Sequence, residues 1–219
     1  MTFPLLTSTF AFDAAIVGGG DFPTHPIALA LLRRAPFVCA CDGAAATLVE
    51  HGITPDAIVG DGDSLSCDFK QRYSDRLHIV SEQDDNDQTK ATRHCQSLGH
   101  QRIVYLAMTG KREDHTLGNI SLLSRYQTEM HLSPVMVTDH GYFVPVSGPS
   151  TIATFPGQQV SLFNISCRTL TGEGLRWPPY PFQQLWQGTL NEATGPQIRI
   201  QADAQYLVYL THEGKTVVR

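Results

Sequence analysis

The chain has 219 residues, 42% of them hydrophobic and 17% charged, which is ordinary for a globular protein of one large or two modest domains. The formal net charge of −5 argues against general nucleic-acid binding, because phosphate backbones are held mainly by clustered Lys and Arg. An acidic protein can still bind a single nucleotide if a divalent cation offsets the charge. No apolar run is long enough to cross a bilayer, so we expect no membrane association.

The N-terminal residues and the cysteines predict a cytoplasmic protein. No Lys or Arg precedes Arg33, so the N-terminus lacks the basic start of a secretory signal. The five cysteines are odd in number and show no Cys-x-x-Cys spacing, which argues against both a disulfide framework and a zinc site.

Short apolar runs alternate with helical patterns over the first two thirds of the chain, which is typical of a parallel α/β sheet. The predicted strands are 14–17, 37–41, 57–59, 77–80, 103–107 and 135–138. The predicted helices lie around 27–34, 44–51, 88–98 and 117–130. Several strands are followed by polar or glycine-rich tips, and in open α/β sheets ligands bind outside the carboxyl ends of the strands. We therefore predict a Rossmann-like α/β domain over residues 1–144, with its site at that edge.

The pattern changes from about residue 145. Apolar runs become short or alternating and are separated by Gly and Pro; they are 151–155, 159–163, 197–201 and 206–211. This pattern predicts an all-β domain over residues 145–219, built as a small sandwich or barrel.

Two carboxylates alternate with glycine in the stretch Gly60-Asp61-Gly62-Asp63-Ser64. In an extended tip, residues two apart point the same way, so Asp61 and Asp63 can face one point. Such a pair repels unless a cation lies between the carboxylates, and oxygen-only ligands favour Mg²⁺. Taken alone, the stretch is explained equally well as a surface turn.

A second acidic cluster at residues 84–87 is followed by Lys90. If Asp84 or Asp85 caps a helix, Asp87 lies in its first turn and Lys90 falls on nearly the same face. The two side chains could then hold a metal ion and a phosphate side by side. A capped helix with a surface ion pair is the simpler interpretation.

A third cluster at residues 110–115, with Asn119 further along, joins a predicted strand to a predicted helix. Asp114 is a candidate N-cap, and Arg112 offers a planar fork suited to phosphate oxygens. In the β region, Trp177 lies in a proline-rich loop. It could stack on a flat or cationic ring, or serve as a core anchor or part of an interface.

Six motifs in this order resemble those of the thiamine pyrophosphokinase family. They are Asp-Gly-Ala-Ala at 42–45, Pro-Asp-Ala-Ile-Val-Gly-Asp-Gly-Asp-Ser at 55–64, Asp-Asp-Asn-Asp-Gln-Thr-Lys-Ala at 84–91, Gly-Lys-Arg-Glu-Asp-His-Thr-Leu-Gly-Asn at 110–119, Gly-Leu-Arg-Trp-Pro at 174–178 and Gly-Thr-Leu-Asn-Glu at 188–192. Three residues depart from the family pattern. Ala46 stands where Asn is usual, Asn86 where Thr is usual, and Leu190 where Ser is usual.

The resemblance implies transfer of an intact diphosphate from ATP to the hydroxyethyl group of thiamine, giving thiamine diphosphate and AMP. It also implies a homodimer whose thiamine site draws on both subunits. The resemblance also implies which residues form the site.

The expected Mg²⁺ ligands are Asp61, Asp63 and Asp87, and these three residues together with Arg112 are the expected catalytic residues. The expected nucleotide-binding residues are Gly20, Asp42, Gly43, Asp84, Lys90, Arg112, Asp114 and His115. The expected thiamine-binding residues are Trp177, Asn191 and Asn119.

Three other functions stay open at this point. A diphosphokinase for another alcohol, such as a hydroxymethylpterin, would use the same phosphate chemistry. A non-catalytic nucleotide or thiamine sensor would keep the pocket without turnover. A metal-dependent phosphohydrolase would need the acidic groups but no aromatic acceptor pocket.

Overall fold

A computed structural model describes residues 1–215 of the chain. The strands in chain order are β1 Thr2–Phe3, β2 Ala14–Val17, β3 Val38–Cys41, β4 Ala57–Gly60, β5 Leu77–Ile79, β6 Arg102–Leu106, β7 Ser133–Val137, β8 Gly141–Ser147, β9 Ser150–Ala153, β10 Gln158–Asn164, β11 Leu170–Glu173, β12 Asn191–Glu192, β13 Gln197–Ala202 and β14 Gln205–Gly214. The α-helices are α1 Pro26–Arg33, α2 Ala44–Glu50, α3 Cys67–Arg72, α4 Asp87–Ser97 and α5 Glu113–Thr128, and a 3₁₀ turn covers Leu185–Gly188. Among these described helices, none combines the length and apolarity that a membrane span requires.

The chain divides into two compact units. The α/β unit consists of Ser8–Leu122 and His131–Asp139. The β unit consists of Met1–Thr7, Leu123–Met130 and the chain from His140 onward. Strand β8 runs through the position between residues 144 and 145 where we place the domain boundary, and Pro145 pairs with Leu207 of β14.

The α/β unit is built on six parallel strands in the order β7-β6-β2-β3-β4-β5. Strands β2, β3 and β4 are buried along their whole length, which is why their sequences are continuous apolar runs rather than alternating ones. The chain leaves β2 toward β3 on one side, while β6 pairs with β2 on the other side. Strand order therefore reverses between β2 and β6, the position where open α/β sheets bind ligands.

The predicted parallel sheet is confirmed, and each of its six predicted strands lies within two residues of an observed one. The four predicted helices are also present, although α5 begins four residues earlier than expected. Helix α3 was not predicted, because it buries none of its residues and therefore carries no apolar stripe.

The β unit contains two sheets with mainly antiparallel pairing. One has the order β12-β10-β14-β8, and the other has the order β1-β9-β13-β11, in which β1 and β9 are parallel. Strand β13 alternates buried Ile198 and Ile200 with exposed Arg199 and Gln201, the pattern of a strand with one face on a core. Tyr206 of β14 is fully buried and its hydroxyl lies 2.6 Å from Ser150 Oγ of β9. The predicted β-rich region is present, while the finer descriptions Rossmann-like and sandwich or barrel stay predictions.

Asp13 ties the segment before β2 to the start of β6. Its Oδ2 accepts hydrogen bonds from the backbone N–H groups of Gln101 (3.0 Å) and Arg102 (2.8 Å), and its Oδ1 lies 2.7 Å from Arg102 Nη2. The hydrogen bonds from Arg102 lower the pKa of Asp13 from 3.8 to about 2. A carboxyl with a lowered pKa adds stability above its unfolded-state pKa, and this stability is lost as the pH falls through the folded-state value.

We expect Asp13→Asn to reduce the free energy of unfolding at pH 7 by about 1–2 kcal/mol, allowing for solvent screening of this partly exposed pair. The difference from wild type should shrink between pH 4 and pH 2, as the wild-type carboxyl becomes protonated. Urea unfolding at several pH values measures it. The control is Asp75→Asn, which removes an exposed carboxylate 3.8 Å from Arg76. A pH-independent loss for Asp13→Asn would contradict the assignment.

Candidate active site

Three carboxylates meet where strands β3 and β4 end. Asp42 follows β3, and Asp61 and Asp63 follow β4, its neighbour in the sheet. One oxygen from each of the three side chains lies within 4.8 Å of the other two. We call Asp42, Asp61 and Asp63 the acidic trio. Asp42 is only 4% exposed, so the trio is partly withdrawn from water.

Glycine at two positions makes this approach possible. A Cβ atom on Gly60 would lie 2.6 Å from the Cβ of Asp42, so any larger residue at position 60 would push Asp42 out of the trio. Gly62, between the two other carboxylates, has a φ of 77°, a conformation that glycine adopts without steric cost. Asp42 itself has a φ of 40°, which is uncommon for a residue with a side chain.

Hydrogen bonds favour the charged form of Asp61 and position the other two carboxylates. The backbone N–H of Asp63 and the side-chain amide of Gln83 donate to Asp61, each at 3.2 Å, and lower the pKa of Asp61. The backbone N–H of Ser64 donates to Asp42 Oδ2 at 3.2 Å. Donors that favour the ionised form oppose the mutual repulsion of the carboxylates.

One oxygen of the trio is left unsatisfied by the described residues. Asp42 Oδ1 is buried and has no hydrogen-bond partner in that part of the chain. Buried polar atoms without partners are rare in native proteins and costly. A hard divalent cation, which prefers carboxylate oxygens, would satisfy this atom and neutralise the repulsion. The trio therefore offers the kind of oxygen ligands that a divalent metal ion requires.

The N-terminus of α4 brings a cation and a fourth carboxylate to the same place. Asn86, and neither of the candidates Asp84 and Asp85, is the N-cap, and its side chain accepts from the backbone N–H of Thr89 at 3.0 Å. Lys90 is 4% exposed, and its Nζ lies 3.9 Å from Asp87 Oδ1. Burial raises the pKa of Asp87, while the charge of Lys90 opposes that shift. Asp87 is not one of the three trio residues, so its predicted role as a metal ligand stays a prediction.

These groups line one cleft of about 660 Å³ in the α/β unit, formed by the tips after β2, β3, β4 and β6 and by the starts of α4 and α5. Ten of the predicted site residues line it: Gly20, Asp42, Gly43, Asp61, Asp63, Asp87, Lys90, Arg112, His115 and Asn119. Asp84 and Asp114 are exposed, and neither is among the lining residues that the described part of the chain supplies. Lining residues that the sequence did not point to include Gln83 and Met108.

Gly20 lies at the point where strand order reverses. Its backbone N–H donates to Ala107 O at 2.7 Å, and a Cβ atom at position 20 would lie 2.2 Å from Thr109 O. Glycine is therefore required here for the close packing of the β2 and β6 tips. Gly19, by contrast, has open space around its Cβ position.

Arg112, just before α5, and Asp114, in its first turn, form a bidentate ion pair. Arg112 Nη2 lies 2.6 Å from Asp114 Oδ2, and Nε lies 3.1 Å from Oδ1. This pairing lowers the pKa of Asp114 to about 2. Because α5 begins at Glu113, Asp114 lies inside the helix and the candidate N-cap role for it is wrong. Arg112 uses one edge of its guanidinium in this pair, which leaves Nη1 for another acceptor.

The two remaining predicted residues, Trp177 and Asn191, are joined in the β unit. Asn191 Nδ2 donates to Trp177 O at 2.7 Å, and the backbone N–H of Trp177 donates to Asn191 Oδ1 at 3.2 Å. Asn191 is buried, whereas Trp177 is 54% exposed, with the Arg176 guanidinium 5.4 Å from its ring centre. Asn191 thus fixes the loop backbone that presents the indole.

Two protein-family models match the chain, and together they cover most of it. The model described as "Thiamin pyrophosphokinase, catalytic domain" matches residues 28–133, and "Thiamin pyrophosphokinase, substrate-binding domain" matches residues 141–209. The chain belongs to the thiamin pyrophosphokinase family. The resemblance drawn from the sequence motifs is thereby confirmed.

Relatives in this family include a curated protein and several solved structures. Thiamine pyrophosphokinase 1 of Oryza sativa subsp. japonica is 28% identical over 144 residues, which is 51% of this chain and 54% of the rice protein. The alignment thus spans about half the length of that relative. Thiamin pyrophosphokinase from Candida albicans matches with a TM-score of 0.77 at 16% identity, over 97% of this chain and 92% of the other. The enzyme from Geobacillus thermodenitrificans matches with a TM-score of 0.73 at 22% identity, over 94% and 99%. These structural matches support the family fold.

Proposed function

We propose that the protein is a thiamine diphosphokinase, which transfers the diphosphate of ATP to the hydroxyethyl group of thiamine and releases AMP. The observation that carries this proposal is the cleft in which the acidic trio lies with Lys90 and Arg112. Membership of the thiamin pyrophosphokinase family supports the choice of substrates.

Asp42, Asp61 and Asp63 would hold Mg²⁺, and Asp87 is the further candidate ligand. When bound, the ion would offset the negative charge of the triphosphate and orient it. Lys90 and the free edge of Arg112 would bind phosphate oxygens. Gly19, whose Cβ position is open, would leave room for the nucleotide to approach the backbone, and Gly20 and Gly43 line the same cleft. The thiamine hydroxyl would give up its proton to a carboxylate of the cleft and attack the β-phosphorus, while the bond from that phosphorus to the oxygen bridging the α-phosphate breaks and AMP leaves with this oxygen. Positioning and charge stabilisation then supply most of the acceleration.

Trp177 would stack on the cationic thiamine, with Asn191 holding its loop. The protein would act as a homodimer whose thiamine site draws on both subunits. In support, segment 177–190 of the β unit exposes several large apolar side chains: Trp177, Tyr180, Leu185, Trp186 and Leu190. Exposed apolar patches often mark interaction surfaces. Cytoplasmic location also stays a prediction.

A diphosphokinase for another alcohol is the nearest alternative, since the phosphate chemistry would be the same. The exposed indole held by Asn191, together with the match to the substrate-binding domain, favours thiamine.

Product analysis tests the proposal. Incubated with Mg²⁺, ATP and thiamine, the protein should form AMP and thiamine diphosphate in equal amounts. Asp61→Asn should reduce turnover at least ~10²-fold, because metal positioning contributes several kcal/mol to the transition state, while thermal unfolding confirms that the variant is folded. The control is Asp68→Asn, an exposed carboxylate in the first turn of α3. Formation of ADP, or of AMP at the same rate without thiamine, would refute the proposal.

The aromatic acceptor site gives a separate expectation. Trp177→Ala should raise the KM for thiamine by about 3- to 30-fold, the range expected for loss of a cation–π contact, and should leave the KM for ATP within about twofold. Trp177→Phe keeps a ring and should have the smaller effect. Steady-state kinetics with each substrate varied in turn measures both constants. An unchanged thiamine KM in Trp177→Ala would remove this residue from the site.

A further inference from the structure

Two asparagine side chains are joined across the cleft wall. Asn86 Nδ2 donates to Asn119 Oδ1 at 3.0 Å. Asn86 is the N-cap of α4, and Asn119 lies in the second turn of α5. The contact therefore links the starts of two helices that both line the cleft.

Each asparagine also makes a second hydrogen bond with its remaining polar group. Asn86 Oδ1 accepts from the backbone N–H of Thr89 at 3.0 Å, and Asn119 Nδ2 donates to Met108 O at 2.9 Å. The side chains thus form a continuous series of hydrogen bonds from the tip of β6 to the first turn of α4. Gln88 Nε2 adds a parallel link by donating to Asn119 O at 3.2 Å.

We propose that the Asn86–Asn119 amide pair is a positioning device that sets the place of Asp87 and Lys90 in the cleft, and that Asn119 acts through this pair rather than by touching thiamine. The inference rests on the proposed function for the identity of the ligands. It reassigns Asn119, which we expected to bind the acceptor, because one hydrogen bond to the protein at its amide oxygen and one at its amide nitrogen fix the orientation of the side chain between β6 and α4.

The Asn86–Asn119 pair holds the first turn of α4, which carries both Asp87 and Lys90. Asp87 comes directly after the cap residue and Lys90 three residues later, so both side chains move with this turn. Lys90 is almost fully buried and has its ion pair with Asp87 at 3.9 Å. A small displacement of this turn would change the point at which the ammonium meets a phosphate, and catalysis is sensitive to errors of that size.

Asn86 is also one of the three departures from the family pattern. Threonine, the usual residue there, can accept the capping hydrogen bond, but it has no amide N–H₂ to donate to Asn119 Oδ1. The pair is therefore a property of this chain's own sequence.

A double-mutant cycle tests the proposal. Asn86→Ser keeps an oxygen for the cap but removes the amide donor, and Asn119→Ala removes its acceptor. The probe is the Mg²⁺ complex of α,β-methylene-ATP, whose α–β bridge resists cleavage, with binding measured by calorimetry. We expect each single variant to raise the Kd by about 3- to 10-fold, the equivalent of one hydrogen bond. The double variant should be no weaker than Asn119→Ala, since the same contact is lost only once.

Two further measurements separate positioning from other roles. Hydrogen exchange of the α4 backbone amides should become faster in both single variants, and the KM for thiamine should stay within twofold of wild type. Ser121→Ala, which alters an exposed residue two positions along α5, serves as the matched control and should change neither quantity.

Several results would overturn the proposal. One is a raised thiamine KM in Asn119→Ala with no effect of Asn86→Ser, which would place Asn119 on the substrate. A second is an increase in the Kd of the double variant that equals the product of the two single-variant effects. A third is unchanged hydrogen exchange of the α4 backbone amides in both single variants. Analogue binding and exchange need no turnover, so wild-type protein that makes no thiamine diphosphate would refute the proposed function and leave this test intact.

Discussion

The repulsion among three carboxylates is the constraint on which the site depends. Oxygens of Asp42, Asp61 and Asp63 lie within 4.8 Å of one another, and like charges at such distances repel each other, the more so where one of them is withdrawn from water. The surrounding residues offset this repulsion locally. Gly60 makes space for Asp42, and backbone and Gln83 donors stabilise the charge of Asp61. Asp42 Oδ1 has no hydrogen-bond partner among residues 1–215, and the proposed cation would satisfy it.

The positive groups reach the same cleft by a different route. Parallel strands bring the carboxylates to one edge of the sheet, whereas Lys90 and Arg112 are delivered by the starts of helices α4 and α5. The position of a helix start depends on the contacts that hold it. In α4 these contacts are the cap by Asn86 and the hydrogen bond from Asn86 to Asn119. The uncharged Asn86–Asn119 pair thereby helps to determine where the ammonium group of Lys90 lies.

Sequence reasoning identified the sheet and most of the cleft because both are encoded locally. The apolar runs of β2, β3 and β4 are continuous since both faces of these strands are covered, and polar tips after parallel strands must meet at one edge. Other features could not be derived in this way. Asn86 rather than an aspartate caps α4, because Asp and Asn are about equally good cap residues and the sequence offers three of them in a row. Gly20 was predicted for the site, but the reason that glycine is required there is its contact with the carbonyl of Thr109, far along the chain. Helix α3 escaped notice because it contributes nothing to the core.

We propose above that the acidic trio holds the metal ion that positions the triphosphate. Anomalous diffraction from crystals grown with Mn²⁺ and α,β-methylene-ATP measures this directly, since Mn²⁺ accepts the same oxygen ligands as Mg²⁺. We expect an anomalous peak within bonding distance of carboxylate oxygens of Asp42, Asp61 and Asp63 and of the phosphate oxygens. Nucleotide bound in the cleft with no peak at the trio, or with the metal ion held elsewhere, would contradict this assignment of the metal site.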